Sequence, residues 1–385
     1  MKVSRPRPPH SGSTSRSLLL MGVTLAVTVS SCGGVVPFPA GEGQGGAVPA
    51  EGPEAAVERP ANSTCVAPPA NADGSTAFPT LLSQTGCFKA GNMQEPASGL
   101  IPYEVNSPLW SDGASKRRWI ALPDGAVLSR RGVDGLTVPP GTVLLKEFTV
   151  GSSLLETRML TRRTDGQWGA ATYRWNAART DATLVGPDWQ AQQVGDVSWT
   201  YFGQSGCLFC HSEAAGRALG MRIGQLNKDV EAQDGAAPVN QVALWRRLGL
   251  FDASVSESAV KNAPRLADPH GNDSVSARAR SYLEVNCSSC HTPGGRFDMG
   301  FNFDLESRLE NMGLCSKSPG HGTLGVPDAR LLVPGAPQRS LISLRMHSVG
   351  ANRMPRFGSG KVDTTGTALI DAWISSLPPD CKQAP

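Results

Sequence analysis

Three stretches in the middle of the chain mix apolar and polar residues within runs of nine or ten. They are Thr142–Val150 (TVLLKEFTV), Leu154–Arg163 (LLETRMLTRR) and Gln167–Asn176 (QWGAATYRWN), and the pattern predicts strands. Thr164-Asp165-Gly166 supplies turn chemistry between the second and third, and Tyr173 and Trp175 share one face of the third. Together they predict an antiparallel sandwich within residues 63–203. Further on the pattern changes. Asp273 or Ser274 is suited to cap a helix through VSARARSYLEVN that runs directly into Cys287. Near the end, TALIDAWISSL places Leu369, Ile370, Trp373, Ile374 and Leu377 on one helical stripe. The expected fold class is multidomain α+β: an antiparallel β-sandwich-like N-terminal domain followed by a mostly α-helical region.

The first 31 residues carry a different pattern. A basic stretch precedes a short apolar run, Leu18 to Val29, which is too short to span a bilayer as a stable helix. The run ends at Val29-Ser30-Ser31-Cys32, which resembles a bacterial lipobox with Cys32 as the lipidated residue; ordinary cleavage near Ser31 is the plainer alternative. Gly33 after Cys32 favours the outer membrane. Residues 1–31 therefore read as a lipoprotein signal peptide, and the Gly/Pro/Ala-rich residues 32–62 as a flexible tether. The formal charge of +3 includes Lys2, Arg5, Arg7 and Arg16, so the chain after cleavage stands at −1. Such a balance gives no electrostatic footprint for nucleic acid. With 43 Gly and 30 Pro, loops and β-structure should outweigh long helices outside the stripes above.

Nine cysteines carry the candidate chemistry. Cys207-Leu208-Phe209-Cys210-His211 and Cys287-Ser288-Ser289-Cys290-His291 are both CxxCH motifs. Two thiols one helical turn apart reach the two vinyl groups of one haem, and the adjacent His sits beneath the iron. A ribbon-type zinc site expects a gap of ~15–20 residues between CxxC pairs, whereas Cys210 and Cys287 are 77 positions apart. The expectation is two covalently bound haem c groups, with His211 and His291 as iron ligands. Cys32 set aside, Cys65, Cys87, Cys315 and Cys381 remain, an even number in an exported chain. Sequence order favours Cys65–Cys87 and Cys315–Cys381 among three possible pairings.

For the sixth ligand of the second haem, Met354 of Met354-Pro355 is favoured, with Met346 as competitor. For the first haem Met221, ten residues after His211, is the candidate, beside His270, Met299, Met346 or an open iron. Arg345 and Arg353 are available to haem propionates or to solvent. His321 and His347 read as surface or loop residues. No catalytic triad is apparent.

These residues stand in an ordered set. Tyr103–Trp119, Pro140-Gly141-Thr142, Glu156-Thr157-Arg158, Cys207–His211, Gln225-Leu226-Asn227, Arg278–His291, Pro334–Pro337 and Met354-Pro355 resemble, in this order, a family of bacterial di-haem c-type cytochromes. The likeness covers roughly residues 65–380, and the part after residue 271 is similar to class I cytochrome c. It implies a first haem module over 204–270, a second haem domain over 271–385, and a mostly α-helical di-haem region. Pro355 is followed by Arg356 where many related cytochromes have a second Pro. The function expected is electron transfer in the cell envelope. The partners expected are redox proteins of the envelope and a membrane reached through the lipid on Cys32. A peroxidase-like oxidoreductase with one open haem and a cytochrome subunit of a periplasmic dehydrogenase are the alternatives.

Overall fold

The expected strands do form, and they belong to one six-stranded antiparallel sheet. The structure is a computed structural model describing residues 57–231 and 237–382. The signal segment, Cys32 and most of the expected tether lie outside the described residues, which all fall within one compact unit. In chain order the strands are β1 (Phe88–Lys89), β2 (Asn92–Pro96), β3 (Ile101–Pro102), β4 (Ser115–Ala121), β5 (Ser129–Arg131), β6 (Gly135–Thr137), β7 (Val143–Val150), β8 (Ser153–Arg162), β9 (Trp168–Trp175), β10 (Ala182–Leu184), β11 (Gln190–Val194), β12 (Val197–Tyr201), β13 (Asp229–Val230) and β14 (Val239–Asn240). The main sheet has the order β10-β9-β8-β7-β4-β3, and the other strands pair as two-stranded ribbons.

The turns are set by local chemistry. Gly151, at a φ of 56°, helps close the tight β7–β8 hairpin, a conformation that favours glycine. Between β8 and β9, Arg163 accepts from the Gly166 N–H and its guanidinium reaches Asp165 Oδ2 at 2.6 Å.

Each face of the sheet is covered differently. On one face Trp119, Leu145, Met159, Ala171 and Tyr173 pack against the N-terminal segment through Cys65, Leu82, Cys87, Phe88 and Met93. The approach there is close: a Cβ on Gly169 would stand 2.1 Å from Thr76 Oγ1. The same segment is anchored at Arg59, whose guanidinium donates to the Ala126, Leu122 and Pro123 carbonyls. On the other face Ile120, Leu144, Leu160 and Ala170 meet Ala218, Met221, Ile223, Leu226 and Trp245 from the later part of the chain. The expected sandwich of two sheets is thus replaced by one sheet with non-sheet layers on both faces. The sequence of β7–β9 specifies strands but not what covers the sheet they form.

The expectation of a mostly α-helical region after the strands is corrected as well. Among the described residues the fold is mostly β, with seven short α-helices. They are α1 (Gln204–Cys210), α2 (Ile223–Leu226), α3 (Gln241–Arg247), α4 (Glu257–Asn262), α5 (Val275–Leu283), α6 (Leu341–Met346) and α7 (Thr364–Ser376). Between α5 and α6, Gly and Pro recur at 293, 294, 295, 300, 313, 319, 320, 322, 325, 327, 334, 335 and 337, which removes helix-compatible runs. No helix of the described residues is long and apolar enough to cross a membrane.

The two strong helical patterns do yield helices. Ser274 caps α5 by accepting from the Ala277 N–H at 3.2 Å, and a π-helical turn, Glu284–Ser288, carries the backbone on into Cys287. Asp363 caps α7 in the same way through the Gly366 N–H. α5 and α7 pack through Ala279, Tyr282 and Leu283 against Leu369, Ile370, Trp373 and Ile374.

Two disulfides close the ends of the fold, Cys65–Cys87 and Cys315–Cys381. Their loops of 22 and 66 residues remove roughly 3–4.5 kcal/mol of unfolded-chain entropy each in the chain-entropy treatment. Trp373 is fully buried at the centre of the α5–α7 contact. Trp373→Ala is expected to cost about 3–5 kcal/mol, read as a lower denaturant midpoint with an unchanged m-value.

Candidate haem-binding cavity

The two CxxCH motifs adopt one local geometry. α1 places Cys207 and Cys210 a turn apart, and the His211 N–H closes onto the Cys207 carbonyl at 3.2 Å. In the second motif the His291 N–H closes onto the Cys287 carbonyl at 3.0 Å. The side chains repeat the correspondence. His211 Nδ1 lies 2.6 Å from the Arg217 carbonyl and His291 Nδ1 lies 3.3 Å from the Phe297 carbonyl, each six residues on. A ring whose Nδ1–H donates to a carbonyl carries its lone pair on Nε2, the arrangement of a metal-ligating imidazole. Burial, followed by the positive charge of Lys146, brings the His211 pKa down to about 4, so the ring is neutral at ordinary pH. Burial lowers that of His291 too.

Both motifs face one cavity of about 1130 Å³. That exceeds the roughly 300–1,000 Å³ typical of a pocket for one small ligand. Cys207, Cys210, Cys287 and Cys290 all line it and all four are free thiols. Cys210 and Cys290 meet across it: the hydrogen bond between them raises the Cys210 pKa and lowers that of Cys290. Burial raises the pKa of Cys207 and brings that of Cys287 up to about 12. Among the described residues no three His, Cys, Asp or Glu side chains group as the ligand set of a bare ion. A haem brings four nitrogen donors of its own and asks the protein only for axial ligands and attachment points. The paired thiols, the free Nε2 positions and the cavity volume fit two such groups.

Other predicted residues distribute unevenly. Met221, buried at 2 % exposure, and Met354, half-buried, both line the cavity. Met346 and Met299 line it as well, Met346 within the α5–α7 core and Met299 at the surface. His270 is exposed and not among the lining residues. His321 lines the cavity from an exposed loop, whereas the His347 ring is held by Asp371 at 2.8 Å. Arg345 lines the cavity, while Arg353 lies beside a small adjoining pocket.

The motifs differ in their surroundings. The His291 ring stacks on Phe301 at 5.0 Å and meets Phe303 edge-on at 5.8 Å. Near the first motif, Phe209 packs against Trp189 and Phe357, and Arg296 from the second motif's loop stands 3.8 Å from the Phe209 ring centre.

The ion-pair cluster around Arg222 was not among the residues expected from the sequence. Arg222, next to the candidate Met221, reaches Asp134 at 2.9 Å, Glu306 at 3.3 Å and also Glu284, three residues before Cys287. Glu284 Oε2 accepts from the Leu305 N–H at 2.6 Å. Burial raises the Glu284 pKa, outweighing the opposing pull of Arg222. One guanidinium thus joins the β5–β6 turn, the start of α2, the turn leading into Cys287 and the loop after it.

Arg222→Met strands two buried carboxylates and is expected to cost about 3–5 kcal/mol. Lys361→Met breaks the exposed pair with Asp196 and is expected to cost less than about 1 kcal/mol. Parallel urea titrations of the two variants check the contrast.

No family model, no curated protein and no solved structure matches this chain.

Proposed function

We propose that the chain is an exported di-haem c-type cytochrome that transfers electrons in the cell envelope. The observation that carries this reading is the repeated geometry. Two CxxCH motifs with the same backbone closure, each with a His whose Nδ1 is tied to the carbonyl six residues on, face one cavity. When bound, a c-type haem supplies a one-electron iron couple.

The chain's own residues divide the remaining work. Cys207 and Cys210 would hold one group, and Cys287 and Cys290 the other. His211 and His291 would offer neutral Nε2 atoms to the iron. Met221 and Met354 line the same cavity and would be the thioether donors; thioether ligation raises a haem potential. Two closed irons suit an electron carrier better than a peroxidase-like enzyme, which needs one open face. The contact of Cys210 with Cys290 makes the two attachment points neighbours. Electrons would then pass between the sites without a change of fold. The apolar run before Cys32 supports export and a lipid anchor, with the outer membrane favoured and redox proteins of the envelope as partners.

Haem quantification together with low-temperature EPR of the ferric protein tests this reading. Two low-spin haems per chain are expected. A chain without covalent haem rejects the reading, and one high-spin signal transfers support to a peroxidase-like activity. The contact between motifs adds a sharper expectation. A Soret circular dichroism couplet from two adjacent chromophores should vanish in the Cys287→Ser/Cys290→Ser double variant, which retains one haem.

A further inference from the structure

One row of the sheet is hard to explain by folding alone. Arg118 of β4 stands directly opposite Lys146 of β7, and Lys146 directly opposite Arg158 of β8. Directly opposed side chains lie roughly 5 Å apart at Cβ, and like charges there are destabilising. The row is not on a wet surface. All three cations line the cavity, and all three are only partly exposed. Among the described residues Glu156 touches the row, at 2.5 Å from Arg158, and the charge of Glu104 acts on Arg118. Arg158 also stacks over Phe148 and Phe202, at 4.4 and 4.9 Å from their ring centres. Glu156 offsets part of the row's charge and leaves the row cationic. Of the four cavity acids, Asp134, Glu284 and Glu306 are gathered on Arg222 instead, and the charge of Asp304 acts on Arg280. Lys116 stands close to Lys146; burial and then the neighbouring cations bring its pKa down to about 7, and the same causes hold that of Lys146 well below a lysine's ordinary value, the electrostatic cost of a cationic row with too few carboxylates.

The adjoining row on the same face is apolar: Ile120, Leu144, Leu160 and Ala170. Leu144, Leu160 and Ala170 also line the cavity. This wall therefore changes from apolar to cationic in one step, two residues along each strand. A ligand that complements it is flat and apolar with carboxylates along one edge. The first CxxCH motif is close by. The charge of Arg158 acts on Cys207, Cys210 and His211, and that of Lys146 on His211. α1 packs directly on β9.

We propose that Arg118, Lys146 and Arg158 form a carboxylate-binding wall that holds the propionates of the haem carried by Cys207, Cys210 and His211. The inference rests on the di-haem reading above and assigns a partner to an otherwise unbalanced row of charge. Charge-assisted contacts of this kind position the group and bias its iron toward the reduced state, because a nearby cation disfavours the more positive ferric form.

The test is a spectroelectrochemical titration of the purified holoprotein and its Lys146→Met variant, with covalent haem counted in both. Lys146→Met should keep two haems. The potential of one haem should fall by about 59 mV, a tenfold shift of its oxidised-to-reduced ratio. The other haem should not move. Lys146→Arg should restore the native value, and removing the same charge at the distant, exposed Lys89 should change neither haem. Arg118→Gln carries the same expectation as Lys146→Met should that variant fail to fold. Two retained haems with unmoved potentials in both cavity variants overturn this inference alone. A wild-type chain without covalent haem overturns the di-haem reading and this inference with it. Added acetate that shifts the wild-type potential would mark the wall as open to free anions and overturn the propionate assignment.

Discussion

The structure turns on a buried guanidinium. Arg222 is a fifth exposed, yet it satisfies two carboxylates, Asp134 and Glu284, that are almost fully enclosed, and a third, Glu306, nearer the surface. Buried ion pairs gain little net stability over apolar packing, because desolvation consumes much of the Coulomb attraction. What they do impose is geometry, since any arrangement that leaves one of these carboxylates unpaired is heavily penalised. Here the geometry sets the two motifs toward each other. Arg222 follows Met221 on the first motif's side, and Glu284 precedes Cys287 on the second's. Arg280, one turn before Glu284, donates to the carbonyls of Asp304, Leu305 and Ser307 and so fixes the loop that supplies Glu306.

Much of the local structure was legible in the sequence. The three strand candidates became β7, β8 and β9 with ends shifted by a residue or two, because short runs rich in apolar, β-branched and aromatic residues suit a sheet whatever covers it. Of Asp273 and Ser274, the two caps the sequence offers, Ser274 starts α5 through its hydroxyl. The CxxCH spacing places its thiols on one turn whatever surrounds it. What failed was extrapolation. The strong helical patterns at α5 and α7 suggested a helical region, but the segment between them is punctuated by Gly and Pro and folds as loop. A single amphipathic stripe reports on its own residues and not on the connections.

The ionic framework was illegible for a different reason. Arg222 meets its partners across 88, 62 and 84 positions of sequence. Lys146 reads in isolation as a polar member of a strand. Only the register of β4 against β7 and of β7 against β8 brings Arg118, Lys146 and Arg158 into one row. Register depends on hairpin length, on the bulge at Phe148/Thr149 and on insertion of β4 beside β7 after a long excursion of the chain. None of these is a property of a short window. A lone lysine inside the apolar run TVLLKEFTV was the available signal, and it becomes informative only once its neighbours across the sheet are known.

The two motifs share their local geometry but not their environment, and that asymmetry bears on the proposed electron transfer. His211 lies under the influence of cations on the sheet, whereas His291 lies among Phe297, Phe301 and Phe303. Both surroundings favour the less charged state of an iron centre, one by direct positive charge and the other by excluding water. They differ in how they can be altered. A charge-based bias responds to any anion or substitution that balances the row, and an apolar one responds to packing. Identical attachment chemistry in unlike fields is a physical route to two unequal sites from one repeated motif, and unequal neighbouring sites give electron transfer a direction.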